Sequence, residues 1–240
     1  MIRFFDEYSR FYQTTGTLLK PNRFQQRWRM IIDRNGDLFQ GARVLDLASH
    51  DGRWSFAALK AGAEFVEGVE GRPELVRRAL ENFAFYSIPT SAYRFTCQDV
   101  VKYLGEKGLS KFDVVLNLGF FYHTLKHLVI VEDMVRTGAK TFIFDTVVNG
   151  SNSACISVSM RNVNSLMNAI DHLNSGTSTV PIGAVSRTAL KLMLEHVGYD
   201  CIEIDWHELV TDFTECEAYE ARTRGTFIAT RRIERISRSD

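Results

Sequence analysis

From residue 41 onward the chain alternates short apolar runs, each ending in turn residues, with segments whose apolar positions recur every three or four residues. The runs lie at 43–48, 65–70, 93–97, 112–118 and 141–148. A strand that is apolar along its whole length buries both faces, and the intervening helices supply the cover. The pattern therefore predicts a doubly wound α/β domain with a mostly parallel sheet. Helix signals agree. Pro73 stands where no backbone N–H is needed and Glu74 sits at the positive end of the dipole, which predicts a helix through about Phe85. Ser186 opens another that Gly198 stops, and strands are expected around 201–206 and 225–230. Ahead of the domain, Phe4, Phe5, Tyr8, Phe11 and Tyr12 fall mostly on one helical face. Pro21 opens a second helix to about Arg34, closed by Asn35-Gly36. Residues 1–40 are thus an N-terminal helical extension, read either as a lid over a ligand or as an amphipathic segment packed on the sheet.

Within the domain of 41–240, a polar insertion is expected at about 149–185. Between 149 and 180 there are seven serines and six asparagines, with only Arg161 and Asp171 charged, which suits a solvated segment over an open sheet edge. The whole chain has 240 residues, enough to bury roughly 70% of its unfolded surface as one domain. With 45% apolar and 24% charged residues, disordered and fibrous classes are excluded. Lys plus Arg and Asp plus Glu are both 29, which argues against a partner held through many phosphates by overall charge. The balance is uneven: 1–40 carries seven basic and four acidic residues, whereas 195–219 carries eight acids and no Lys or Arg. A phosphate-bearing partner would avoid the acidic stretch. The four cysteines are scattered without a C-x-x-C pair, so neither a zinc knuckle nor a disulfide framework is indicated. No apolar run approaches the roughly 20 residues of a membrane span, and Asp6, Glu7 and Arg10 stand where a signal peptide would be apolar. A soluble, cytoplasmic protein is expected.

The densest signal is Val44-Leu45-Asp46-Leu47-Ala48-Ser49-His50-Asp51-Gly52-Arg53-Trp54-Ser55, a strand running into a tight turn and then a helix. Ligands of doubly wound sheets bind at the carboxyl ends of strands. Ala48 and His50 replace two of the three glycines that would let a pyrophosphate lie on bare backbone, so a dinucleotide is not expected. A nucleoside is. Glu70 closes the next strand 18 residues after Gly52, where a carboxylate can accept from two ribose hydroxyls. Gln98-Asp99 follow the third strand, where a carboxylate can accept from an adenine amino group.

Over about 41–232 these stretches (VLDLASHDGRWS, FVEGVEG, FTCQDV and FDVVLNLGFFYH) resemble the class I S-adenosylmethionine-dependent methyltransferases. The resemblance implies a Rossmann-like sheet of seven strands with the last antiparallel, and S-adenosylmethionine as cofactor. It also implies that Asp46 and the turn of Ala48, Ser49, His50 and Gly52, with Trp54 beside it, hold the methionine and ribose portion. Glu70 would take the ribose hydroxyls and Gln98 with Asp99 the adenine, while Asn117 and Leu118 would line the cofactor through backbone carbonyls. SHDGRWSF and LGFFYH are further similar to a variant turn and a post-strand run of the tRNA wobble-uridine carboxymethyl-transferring enzymes.

A hydroxyl acceptor needs its proton removed, and His123, a few residues after the fourth strand, is the candidate base; the alternative is a histidine that packs at a helix start. His127 lies four residues on, a metal-sharing spacing, but no third ligand accompanies the pair and a divalent metal is not indicated. Asp145 ends the fifth strand, where it either orients His123 or binds a cation, or is an ordinary strand-end acid. Tyr122 could wall the transfer site, and Arg222 and Arg224 could meet an anionic substrate. The leading reading is O-methylation of a small polar hydroxylated metabolite, a sugar or glycoside among them. A tRNA-modifying transferase and a non-catalytic cofactor-binding protein are the alternatives.

Overall fold

The computed structural model describes residues 3–15, 19–106, 111–163 and 178–232. Three helices come first, α1 (Phe4–Glu7), α2 (Arg10–Thr14) and α3 (Pro21–Ile31). Strands and helices then alternate: β1 (Arg43–Leu47), α4 (Arg53–Lys60), β2 (Phe65–Glu70), α5 (Pro73–Phe85), β3 (Tyr93–Cys97), α6 (Val100–Gly105) and β4 (Val114–Leu118). A 3-10 turn (Phe121–His123) leads to α7 (His127–Arg136), β5 (Thr141–Asn149), β6 (Ile156–Asn162), β7 (Thr179–Ser186), α8 (Arg187–His196), β8 (Tyr199–Ile204), α9 (Trp206–Leu209), α10 (Glu217–Glu220) and β9 (Arg224–Arg231).

The main sheet has seven strands in the order β3-β2-β1-β4-β5-β9-β8, all parallel except β9, which runs antiparallel to both neighbours. The order reverses at β1, so the carboxyl ends of β1 and β4 diverge there and leave a crevice. Alternate residues of each strand feed separate cores on the two faces. Val44, Leu116, Ile143 and Ile228 join one, while Leu45, Val115, Phe142, Phe144 and Phe227 join the other.

The first face is closed by the N-terminal helices. Phe5 and Phe11 are fully buried, and the Phe4 ring stacks on Trp28 at 4.9 Å. The aromatic face of α1 to α3 is therefore core, and lifting these helices off the sheet would expose two buried phenylalanines at a cost of several kcal/mol, from about 1.5–3 per side chain.

The polar insertion also differs from expectation. β6 and β7 form an antiparallel hairpin, and β7 joins β5 in parallel at Val148–Val185 and Asn149–Ser186. All of β6 is exposed, so its serines face water at alternate positions rather than in a loop. Residues 164–177 of the insertion, and 1–2 and 16–18 of the first segment, lie outside the described residues. Among the described residues no helix is long and apolar enough to cross a membrane.

Candidate cofactor and acceptor site

The turn after β1 visits the left-handed region three times, at Ala48 (φ 55°), His50 (φ 54°) and Gly52 (φ 78°). For Ala48 and His50 this costs about 1–2 kcal/mol each, since a Cβ crowds the following carbonyl there. The turn is held despite that cost because β2 admits it closely. A Cβ on Gly68 would stand 2.7 Å from Ser49 Oγ, and one on Gly52 would stand 2.9 Å from Phe95 Cζ. Ser49 N–H donates to the Val69 carbonyl at 3.0 Å and Gly52 N–H to the Ser49 carbonyl at 2.9 Å.

Glu70 is tied to this turn, accepting from His50 N–H on Oε2 and from Arg72 N–H on Oε1, both at 3.0 Å. Burial raises its pKa, with the two N–H groups opposing. Each oxygen keeps a free lone pair for a further donor. Asp46 lies beneath the turn with Ser55 Oγ donating to it at 2.7 Å. Burial pushes its pKa up to about 7, and the Ser55 bonds only partly offset that. Asp51 is also fully buried, but Arg53 Nε at 2.7 Å and His50 beside it overcome burial and hold it below the usual carboxylate range. Thr14 Oγ1 caps its other oxygen at 2.9 Å. Gln98 N–H donates to the Glu70 carbonyl at 3.0 Å, which sets the end of β3 beside that of β2. Asp99 accepts from Lys102 N–H at 3.0 Å as the cap of α6.

Several buried polar atoms have no hydrogen-bond partner: Ser49 Oγ, His50 Nε2, both side-chain atoms of Asn117 and His123 Nδ1. These lie at the carboxyl ends of β1 and β4, where Leu47 and Asn117 are paired neighbours, while Arg27 Nε on α3 and His127 Nδ1 on α7 are also without a partner. Each unsatisfied group costs about 1–3 kcal/mol, so the edge is built for a polar ligand that would meet them. Leu118 is buried beside Asn117. Trp54, in contrast, turns inward, its ring 5.7 Å from Phe5 and 4.7 Å under the Arg27 guanidinium; it packs in the core and does not face the ligand edge.

On the acceptor side, His123 N–H closes the turn on the Phe120 carbonyl at 2.7 Å and its ring lies 4.1 Å from Tyr122. Burial, then Arg224 and Arg161, lower its pKa to about 4, so the imidazole is neutral at pH 7. His127 is 4.8 Å from Phe121 and its Nε2 meets the Gly183 carbonyl at 2.9 Å, which pins the β6–β7 hairpin to α7. Among the described residues no group of three His, Cys, Asp or Glu could hold a metal ion.

Asp145 and Arg224 need correction. Asp145 is fully buried and accepts from Arg224 Nε at 2.6 Å, Arg27 Nη2 at 3.1 Å, Tyr219 Oη at 2.8 Å and Thr226 Oγ1 at 3.0 Å. Burial alone would raise its pKa, but the two arginines hold it well below the usual range. It neither orients His123 nor has room for a metal. Arg224 is committed to that pair and presents its guanidinium to the Tyr122 ring, 5.7 Å away, instead of reaching freely for a substrate. Arg222 is exposed, with φ 55°, and lines a concavity of about 180 Å³ at the end of β8 with Arg187, Glu203 and Trp206. A larger one of about 380 Å³ lies among Phe4, Trp28 and Lys60, far from the turn. Neither contains a residue of the cofactor turn, and the orphaned polar atoms mark the site better than the open space does.

Sequence reasoning missed Arg53, Arg27 and Tyr219. Arg53 acts two residues from Asp51 across a left-handed glycine, and Arg27 and Tyr219 meet Asp145 over 118 and 74 positions, where no local pattern points.

No family model matches the chain. Among curated proteins it is similar to a tRNA U34 carboxymethyltransferase of Pseudomonas putida, 28% identical over 120 residues that make 46% of this chain and 35% of that protein. It is also similar to the 23S rRNA (uracil(1939)-C(5))-methyltransferase RlmD of Shewanella amazonensis, 41% identical over 81 residues, 33% of this chain and 18% of that protein. The matches thus span about a third and about a fifth of those proteins' lengths. Among solved structures, the N-terminal domain of EvdMO1 with S-adenosylhomocysteine bound superposes with a TM-score of 0.61 at 19% identity, over 86% of this chain and 80% of that one. The same domain has been solved in the presence of S-adenosylhomocysteine and D-fucose. By its strand order, by the turn and strand-end acids built on it and by these likenesses, the chain has the fold of the class I S-adenosylmethionine-dependent methyltransferases.

Proposed function

We propose that the chain binds S-adenosylmethionine along the carboxyl ends of β1, β2 and β3 and methylates a hydroxyl of a small polar acceptor seated over β4. The observation that carries this reading is the set of unpartnered atoms, with Ser49 Oγ, His50 Nε2 and Asn117 on the cofactor side and His123 Nδ1 on the acceptor side. Glu70 offers free lone pairs to ribose hydroxyls, and Asp99 its second oxygen to an adenine amino group. The sulfonium supplies a methyl group already activated for in-line displacement, so the protein's task is placement and proton removal. The neutral His123 Nδ1 takes the proton of the acceptor hydroxyl while that oxygen bonds to the methyl carbon and the carbon–sulfur electron pair returns to sulfur. Tyr122 and Leu118 keep water from the methyl group.

Calorimetry with S-adenosylhomocysteine tests the cofactor half. Binding is expected, and Glu70→Ala should weaken it about tenfold or more, the scale of a lost charge-assisted bond. No heat of binding in the wild-type protein refutes it. A second reading, transfer to a tRNA base, is favoured by the similarity to the Pseudomonas enzyme over 120 residues. Labelled methyl transfer to a panel of small hydroxylated compounds and to bulk tRNA decides between the two.

A further inference from the structure

The acceptor half of the sheet edge holds more positive charge than the fold balances. Arg224 and Arg27, with side chains 5% and 10% exposed, both pair with the single carboxylate of Asp145. Neither is bonded to any other carboxylate among the described residues. Tyr219 and Thr226 complete the cluster as neutral donors to the same oxygens, so one buried positive charge is left over. An uncompensated buried charge is costly, and a fold that keeps one needs a counter-charge from outside. The surplus faces the exit of β4, because Arg224 lies against Tyr122 and Tyr122 against His123.

A third cation comes from the hairpin. Arg161 on β6 stands opposite Val180 on β7, and directly opposed residues of an antiparallel pair project to one face. On that face Val180 and Ile182 are buried, with β7 lying against the Phe121–His123 turn, while Ser159 and Arg161 remain exposed. Arg161 has no ion pair among the described residues. Two residues further on, the Val163 carbonyl accepts from Arg72 Nη2 at 2.8 Å, so the hairpin arches from the end of β5 to the end of β2, over the same edge. Arg224 and Arg161 are both charges that act on His123, and both disfavour its protonation.

We infer that the acceptor is a small hydroxylated anion, a carboxylate or a phosphate ester, whose negative group is held by Arg161 above the Arg224–Tyr122–His123 turn while its hydroxyl lies at His123. The hydroxyl's role rests on the transferase reading; the anion's does not. Such a ligand returns the missing negative charge, and by doing so raises the proton affinity of His123 toward that of an ordinary imidazole. A neutral glycoside would leave the surplus in place.

The test is calorimetry on protein saturated with S-adenosylhomocysteine, titrated separately with D-glucuronate, glucose 6-phosphate and D-glucose. At least one anion should bind about tenfold or more tightly than glucose, and which one binds separates carboxylate from phosphate. Arg161→Ala should weaken that binding about tenfold or more and leave S-adenosylhomocysteine affinity unchanged, whereas Arg161→Lys should retain part of it. Glucose binding as tightly as the anions, no anion binding at all, or an unchanged anion affinity in Arg161→Ala each overturns the inference. So does bulk tRNA displacing the anions with labelled methyl entering the tRNA. Arg161-dependent anion binding with no methyl transfer to any compound keeps the anion site and removes the transferase reading, so the two fail separately.

Discussion

Asp145→Asn changes one charge and almost no volume, and the structure sets its consequence. The wild-type carboxylate is buried and receives two guanidiniums and two hydroxyls. An asparagine offers one oxygen and turns an NH2 group toward N–H donors, leaving Arg27 and Arg224 with no counter-charge. Removing one partner of a buried ion pair costs about 3–5 kcal/mol. At about 2–4 °C per kcal/mol for a domain of this size, the melting temperature should fall by roughly 6–20 °C. Urea unfolding at pH 7 should show a lower midpoint with unchanged slope. The carboxyl's folded pKa is depressed, so its stabilisation is fully present above the unfolded value of about 3.9 and is lost as pH falls toward the folded one. The gap between wild type and variant should therefore stay constant from about pH 5 to 8 and close in acid. Arg27→Met gives the opposite control: it removes the surplus cation and leaves a one-to-one pair, so it should cost far less. An Asp145→Asn protein that melts within about 2 °C of wild type but has lost turnover would show that Asp145 belongs to the chemistry and not to the charge balance of the fold.

Two further outcomes follow from buried ionisable groups. Burial raises the Asp46 pKa to about 7, so the folded state holds a proton that the unfolded state has released, and stability should fall by about 4 kcal/mol in all as pH rises from about 4 to 7; Asp46→Asn should flatten that slope in urea titrations, and a wild-type slope already flat sinks the argument. With burial, Arg224 and Arg161 lowering the free His123 to about 4, kcat/KM should lose activity only as pH drops through about 4, whereas kcat with an anionic acceptor should lose it at higher pH; a kcat/KM limb near 6.5 contradicts the placement of those arginines.

Much of the frame was legible because its elements are locally specified. β2 and β3 match the predicted runs, and α5 runs from Pro73 to Phe85 because the proline and Glu74 start it where no N–H is missed. Strand-end positions of Glu70 and Asp99 were equally readable from run lengths. β6 was not, although Ile156, Val158 and Met160 alternate with Ser157, Ser159 and Arg161: an exposed strand has no buried face to make its period visible as hydrophobicity, and its serines read as loop. α7 starts at His127, after a turn in which Thr124 Oγ1 accepts from Lys126 N–H. The charge cluster around Asp145 was illegible for a different reason. Its members come from α3, β5, α10 and β9, and only the completed sheet brings them together, so a catalytic and a structural acid look identical at that strand end.

The reversed strand β9 lies between β5 and β8, although it follows both in the chain. A ribosome therefore delivers β5 some 82 residues before its partner, roughly 4–16 s at ordinary elongation rates. During that interval the run Thr141–Asn149 has an open edge, apolar on both faces, which is a template for pairing with any other extended chain. The hairpin of β6 and β7 gives that edge no cover: it meets Val148 and Asn149 on the β4 side of β5, because Val148 N–H is directed to the Thr223 carbonyl on the β9 side. Yield from a cell should accordingly respond to whatever slows synthesis between β5 and β9, even through codon changes that leave every residue of the finished protein untouched.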